Sequence, residues 1–496
     1  MGPLANTGEW AIARNDVQPC VLACDLGGSG LRLALMSPEG ATLGAVAIPM
    51  SAGSPAPGWS EADPADWWCA FTAGAGMLAA GHPAAFAGVA AIAVTAMTRS
   101  QVLLDRNGQV LRPAILWADS RAADTLPALL DRLPPGHPET RYVNVFHPLA
   151  RLWWLMRHEP ACIGRLAAVI EPKDWLNLCL TGTVASDPVS MARLAAAPLG
   201  ACGLNPAILP LLVAPTAPMG RVAAGHQGAL AGLAGVPVLA MATDTWASVV
   251  GLGALRAGYA YNLSGTSEVL GLVGAHPVMA EGLMTVDWGG VSQLGGPSQA
   301  GGDTLDWVLA LLGGLDDRGR ALARAPRVAA PLLFLPYLQG ERTPYWDASL
   351  RGAFIGLHRS HGPADLLHAV MQGVAFLNRI VLERATAAAG VPVSELRFGG
   401  GGAANAAWCQ IKADVLGCDV VVPAGEEHGL AGAAMVAWTM LGRHPDLAAA
   451  QAALAPPERR YVPDPAARAD SGALFALFRE TEAALRPLSH RLAALA

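Results

Sequence analysis

Four stretches of the 496-residue chain hold residue types whose spacing could do chemistry. In Asp25-Leu-Gly-Gly-Ser-Gly-Leu-Arg32 an acid ends an apolar run. A turn through Gly28 and Ser29 then exposes backbone N–H groups, a hydroxyl and the Arg32 guanidinium. Such a concavity suits phosphate oxygens, and the acid suits Mg²⁺. An ordinary glycine hairpin has the same letters. Leu263-Ser-Gly-Thr-Ser267 again puts small hydroxyl residues and a glycine, Gly265, between two strand-like runs. Phe398-Gly-Gly-Gly-Gly-Ala-Ala-Asn405 lets a phosphate or a flat ligand approach the backbone closely. Asp244 follows a short apolar strand, Pro237 to Ala242, and opens a helix, where it is either a helix cap or an acid at the edge of a cleft.

The elements that must position these residues repeat. Val21 to Asp25, Leu31 to Met36 and Ala41 to Ile48 read as a three-stranded meander. A helix follows over Asp63 to Ala80, with Asp63 as cap and Pro64 at its first position. Val89 to Thr95 is a buried strand. The pattern returns at half-length: Tyr259 to Ser264 and Glu268 to Val273 are strands around a polar turn. Helices follow at Asp303 to Leu312, Pro363 to Ala388 and Ala403 to Leu416, and a small-residue helix at Leu430 to Met440. Each half opens with strand, small polar turn, strand, and two such turns can grip one polyphosphate. The junction reads as Leu252 to Gly258. The expected domains are 18–253, 254–445 and a tail, 446–496, with a late helix near Ser471 to Leu485.

Composition narrows the classes. A net charge of −6 argues against nucleic acid or an anionic membrane as main partner. Mean hydropathy is +0.36, and Cys69 to Thr98 holds no charged residue. Gly81-His-Pro83 interrupts that run, so it reads as helix, turn and buried strand rather than a membrane span. Met1 to Gln18 has charges of both signs and no apolar core, unlike a signal peptide. Eight cysteines without a C-x-x-C pair read as reduced thiols of a cytoplasmic protein. The only lysines are Lys173 and Lys412, which reads as a composition bias. No P-loop or G-x-S-x-G elbow occurs. Gly399, Gly401 and Ala404 match G-x-G-x-x-A, so an NAD-dependent oxidoreductase is weighed, but Asp419 precedes the next strand instead of following it.

Taken in order, the motifs resemble the FGGY family of carbohydrate kinases, within the actin and hexokinase superfamily, over roughly residues 20 to 445. Val110 to Arg121, ending Trp117-Ala-Asp-Ser-Arg121, is similar to a xylulokinase-type stretch. Gly340-Glu-Arg-Thr-Pro-Tyr-Trp-Asp347, Arg351 to Leu357 and Asp365 to Gln372 resemble the family's C-terminal signature. The resemblance implies an α/β fold of two ribonuclease-H-like domains flanking a catalytic cleft. It implies ATP and Mg²⁺, a cytoplasmic enzyme with a small sugar or polyol substrate, and a homodimer. Position by position it implies Asp244 as catalytic base, and Asp25 with Asp244 at the metal. Gly28, Ser29, Arg32, Gly265, Thr266 and Gly302 then meet the nucleotide phosphates, and Gly401 and Asn405 the adenosine. Thr98, Arg99, Trp117 and Asp119 fall on the sugar pocket. Met97-Thr-Arg-Ser100 departs from the family: Arg99 stands where xylulokinases have His and glycerol kinases Glu. The expected reaction is phosphorylation of a pentulose such as xylulose, a polyol or a sugar acid. A sugar-binding regulator without turnover is the non-enzyme alternative.

Overall fold

The computed structural model describes residues 18–312 and 331–495. The N-terminal stretch discussed above as a possible leader therefore lies almost wholly outside the described residues. The chain divides into two compact units. The first holds residues up to Gly251 and takes back Gly429–Leu454; the second holds Leu252–His428 and Ala455 onward. The chain passes from the first unit to the second between Gly251 and Leu252. The single cut at 446 does not match these units, because Gly429–Leu454 packs with the first and the last helix with the second.

In the first unit β1 (Cys20–Leu26), β2 (Gly30–Met36) and β3 (Thr42–Pro49) form the antiparallel meander. Helix α1 (Pro64–Gly81) follows, and the Asp63 carboxylate accepts from Ala65 N at 2.9 Å. Strand β4 (Val89–Ala96) lies parallel to β1 and is buried at every position. That two-sided burial explains its charge-free sequence. Helices α2 (Pro148–His158) and α3 (Pro172–Thr181) precede β5 (Pro218–Arg221) and β6 (Pro237–Leu239). The sheet order is β5-β6-β4-β1-β2-β3. Helix α4 (Asp244–Gly251) ends this part.

The second unit repeats the plan. Strands β7 (Tyr259–Ser264) and β8 (Glu268–Gly274) pair around the Gly265–Ser267 turn, and β9 (Met284–Asp287) and β10 (Ser292–Pro297) continue antiparallel. Helices α5 (Gly302–Leu311) and α6 (Pro363–Ala389) follow. Then come β11 (Glu395–Gly399), α7 (Ala406–Leu416) and β12 (Val420–Pro423). Helix α8 (His428–Met440) returns the chain to the first unit, and β13 (Pro457–Tyr461) and α9 (Pro465–Ala493) complete the second. The sheet order is β9-β10-β8-β7-β11-β12-β13. In both sheets a meander meets two parallel strands on the far side of its first strand, so the expected doubling is present in the topology. Among the described residues only α6 is long and apolar enough to cross a membrane, and 78% of its apolar window is buried in the second unit's core.

Candidate active site

In the first unit, strand register places Asp25 opposite Arg32 on β2 and beside Thr95 on β4. Directly opposed residues share a face, so acid, cation and hydroxyl stand in one row. Asp25 is half-buried, whereas Gly28, Ser29 and Arg32 are exposed in or beside the turn. The first turn of α8 approaches the same acid. A Cβ on Gly429 would lie 2.7 Å from Asp25 Oδ2, and one on Gly432 would overlap the Ala247 carbonyl of α4. Glycines at these two positions are what let α8 lie against Asp25 and α4.

Asp244 is delivered by a turn rather than a longer strand. The sequence extends β6 to Ala242, but the ladder stops at Leu239 because Met241 is left-handed, at φ 53°. Buried side chains hold the carbonyls of this turn. Asn177 donates to Leu239 O at 3.1 Å, Lys173 to Ala240 O at 3.2 Å and the Thr95 hydroxyl to Ala242 O at 3.0 Å. Thr243, not Asp244, caps α4: its hydroxyl accepts from Trp246 N at 3.2 Å. Asp244 Oδ1 accepts from Thr245 N at 2.6 Å, and Oδ2 takes no hydrogen bond among the described residues. Burial raises the Asp244 pKa, against the Thr245 bonds and the positive charge of Arg99, which lower it. The cap reading of Asp244 is therefore answered by its neighbour, and Asp244 Oδ2 is left without a hydrogen bond among the described residues.

Thr98 and Arg99 are half-buried on the turn after β4. Ala96 bridges Thr243 in parallel, so this turn leaves the sheet beside the one that delivers Asp244. Arg99 is left-handed, at φ 58°. Trp117 is 46% exposed, and its Nε1 lies 4.0 Å from where a Cβ on Gly28 would stand. Asp119 is different. It is fully buried, and its oxygens accept from Ser60 N at 2.6 Å, Arg121 N at 3.1 Å and both Nε and Nη2 of Arg121. Arg121 in turn lies 3.8 Å over the Trp59 ring and bonds Glu61 at 2.6 Å. With both oxygens engaged, Asp119 braces the Trp117 segment from beneath, where the sequence reading expected a sugar contact.

In the second unit three glycine-bearing segments converge. Gly302 N and Asp303 N donate to the carbonyls of Gly265 and Thr266 at 2.9 and 3.1 Å, so the α5 N-terminus rests on the exposed Gly265–Thr266 turn. A Cβ on Gly301 or Gly302 would lie 2.7 Å from that backbone. The turn before α7 packs on the same strand end. Gly400 has φ 84°, and a Cβ there would overlap Ser264 O; one on Gly402 would lie 2.5 Å from Ser264 Oγ. Ser264 Oγ is buried with no hydrogen-bond partner among the described residues. Gly401 is exposed and faces open space. Asn405 spends its Oδ1 on Trp408 N, at 3.2 Å, as the cap of α7. Asp419 sits at the start of β12, at the end away from the glycines, and pairs with Arg460 at 2.5 Å. A dinucleotide site needs an acid at the other end of that strand.

Several supporting residues were not singled out from the sequence. Arg151, on α2, is fully buried and donates to the carbonyls of Arg99, at 2.5 Å, and Trp117, at 2.9 Å. Glu171, which caps α3, accepts from Arg99 N at 3.1 Å. Their signal was faint: an arginine inside the apolar run Leu149-Ala-Arg-Leu-Trp-Trp-Leu155, and a carboxylate before Pro172. Gly429 and Gly432 could have been noticed as a small-residue pair on one helix face.

Comparison with known proteins gives one answer. The N-terminal domain of the FGGY family of carbohydrate kinases matches residues 20–251, and its C-terminal domain residues 260–441. A xylulose kinase of Escherichia coli (strain K12) is 32% identical over 443 residues, covering 84% of this chain and 89% of its own length. An L-xylulose/3-keto-L-gulonate kinase of the same organism is 30% identical over 477 residues, covering 89% and 92%. The crystal structure of xylulose kinase from Rhodospirillum rubrum superimposes with a TM-score of 0.84 at 28% identity, covering 95% of this chain and all of that one.

Proposed function

We propose, from the premise that this chain belongs to the FGGY family of carbohydrate kinases, that its acceptor is an open-chain ketose, polyol or sugar acid and that Asp244 is the base. The protein is a phosphotransferase with the mixed α/β, two-domain architecture of that family, and it phosphorylates a sugar or polyol hydroxyl with ATP. One observation carries the site assignment: Thr243 caps α4, so the Asp244 carboxylate keeps an oxygen without a donor among the described residues, beside the Arg99 turn. Asp244 accepts the proton of the attacking hydroxyl as that oxygen takes the γ-phosphoryl group. Trp117 lies by the sugar, and Arg151 and Asp119 fix its segment.

The second unit's turns fit a polyphosphate. Gly301, Gly302, Gly400 and Gly402 let these segments pack closely on Ser264–Ser267, where a Cβ would collide, and the Ser264 hydroxyl at their meeting point has no hydrogen-bond partner among the described residues. Thr266 offers its backbone N–H to phosphate, whereas the N–H groups of Gly265 and Gly302 are spent on Ser267 O and Gly265 O and shape the turn, and open Gly401 offers a flat surface to the base. Asn405 shapes that surface as a cap. Asp25 and Asp244 fit Mg²⁺, a hard cation that takes one or two carboxylates and leaves its other positions to water and phosphate. When bound, the ion neutralises charge on the transferred group.

The direct test is ADP formation from Mg·ATP across pentuloses, polyols and sugar acids; turnover of one class names the acceptor, and rates no higher than without acceptor overturn the reading. Two further results are expected. Gly429→Ala drives a methyl toward Asp25 Oδ2, so more Mg²⁺ is needed for half-maximal rate, read by titrating Mg²⁺ at fixed ATP. Arg99→Met removes the cation that lowers the Asp244 pKa, so the acid limb of the kcat profile moves to higher pH. A limb that stays in place or moves down contradicts the pairing of Arg99 with Asp244.

A further inference from the structure

The phosphotransfer chemistry leaves Gly340-Glu-Arg-Thr-Pro-Tyr-Trp-Asp347 without a role. In the structure this stretch closes on itself. Glu341 N donates to Asp347 O at 2.9 Å, and Asp347 N to Glu341 O at 2.8 Å. Trp346 stands at φ 51°, a costly conformation for a residue with a side chain, and its N–H returns to Arg342 O at 2.5 Å. The closed loop grips a second one, Ser298 to Gly301, which joins β10 to α5. The Glu341 carboxylate, 3% exposed, accepts from Ser298 Oγ at 3.0 Å, Gln299 N at 2.7 Å and Arg342 N at 2.7 Å. Arg342 Nη2 donates to Ser298 O at 2.7 Å and lies 3.5 Å from Ser267 Oγ. The gripped loop carries the α5 N-terminus, whose Gly302 and Asp303 N–H groups rest on the Gly265–Thr266 turn. Direct contacts therefore run from Glu341 to the turn proposed for phosphate.

The charge on Glu341 matters to this grip. An ionised carboxylate accepts on both oxygens, whereas a protonated acid or an amide donates with one of them. The Ser298 hydroxyl already accepts from Ala300 N at 3.0 Å, so it fits best as a donor to Glu341. Burial pushes the Glu341 pKa up to about 7, against the bonds from Gln299, Arg342 and Ser298 and the charge of Arg342. Tyr337 also faces Glu341, but its phenol donates to Glu482 of α9 at 2.7 Å. The Asp347 carboxylate is engaged by His490 of the same helix, at 2.7 Å. We propose that Glu341 and Arg342 are positioning residues for the donor nucleotide: the ionised carboxylate and the guanidinium seat the α5 N-terminus on the Gly265–Ser267 turn, and so set the affinity for the ATP phosphates. This inference rests on the phosphate reading of that turn.

The experiment is calorimetric titration of wild type and Glu341→Gln with ATP, without acceptor, at pH 6 and pH 8, on either side of the Glu341 pKa. Both proteins meet the same protonation of ATP, so the ratio of their dissociation constants reports Glu341. At pH 8 the variant should bind about 3- to 10-fold more weakly, the contribution of roughly one hydrogen bond. At pH 6, where the wild-type carboxyl is largely protonated, the ratio should fall toward one. Arg342→Lys keeps the charge but not both contacts. It should raise the KM for ATP at either pH and leave the KM for the acceptor unchanged. Where Glu341→Gln does not fold, Ser298→Ala removes the donated hydroxyl alone and should show the same loss at pH 8. A ratio within about twofold of one at pH 8, or an equal ratio at both pH values, overturns the proposal and leaves the nucleotide site intact. So does an acceptor KM that rises together with the KM for ATP. Wild-type protein that binds no ATP overturns the phosphate reading and this one with it.

Discussion

Asp244→Asn is expected to lower kcat by about 10²–10⁴-fold, the contribution of a positioned general base, while ATP binding and thermal stability stay close to wild type. Asn makes the substitution informative, because it caps helices as well as Asp does. If Asp244 served α4 as a cap, Asn would preserve both fold and rate. The structure gives the cap to Thr243, whose hydroxyl bonds Trp246 N. The amide oxygen of Asn can still accept from Thr245 N, so the turn is kept. What Asn lacks is a carboxylate able to take a proton. Initial rates of ADP formation, with calorimetry for ATP, separate the two roles. A variant that turns over within about tenfold of wild type would remove Asp244 from the chemistry and move the base elsewhere in the first unit. The companion Thr243→Ala should do the reverse: cost about 1 kcal/mol of stability through the lost cap, with a smaller effect on rate.

The parts of this candidate site that the sequence made legible are local ones. Asp25 with its glycine turn, Gly265–Ser267 and Gly399–Asn405 are each contiguous, and each demands glycine for a backbone reason visible in the letters. The doubling was legible for the same cause, since strand, turn, strand is a short-range pattern. Less legible was whatever depends on contact across long separations. Arg151 meets Arg99 from 52 residues away, and Glu171 from 72. Nothing local marks an arginine that will be buried against carbonyls. Asp119 shows the opposite failure. It stands two residues from an exposed tryptophan, and only packing reveals that its carboxylate is already spent on Ser60 and Arg121. The end of β6 was overrun because apolar letters continue to Ala242, whereas the left-handed Met241 stops the ladder. Gly429–Leu454 was placed with the second half because order along the chain carries no record of a helix that returns to the first.

Lys412→Met is expected to destabilise the second unit by about 3–5 kcal/mol, as for a buried ion pair that loses one partner. The two lysines looked like the residue of a composition bias, yet both are buried and paired with carboxylates. Lys412 Nζ lies 3.0 Å from Glu268 Oε1 and also bonds Asn378 Oδ1, while Asn378 Nδ2 donates to Glu268 Oε2 at 2.8 Å. The three side chains close a ring that joins β8, α6 and α7. Glu268 comes directly after the Gly265–Ser267 turn, so the ring anchors the proposed phosphate cradle. Removing the ammonium leaves the Glu268 charge buried beside an amide. For a unit of this size the loss lowers the melting temperature by roughly 6–20 °C, and the weakened turn should reduce ATP affinity as well. The double variant Glu268→Gln/Lys412→Met removes both charges and should recover a large part of the stability, because the cost lies in the unpaired ion more than in the absent bond. Differential scanning calorimetry of wild type, single and double variants decides it. A double variant no more stable than the single would mean that the ring holds by its shape and hydrogen bonds, and that charge compensation is not what keeps a lysine there.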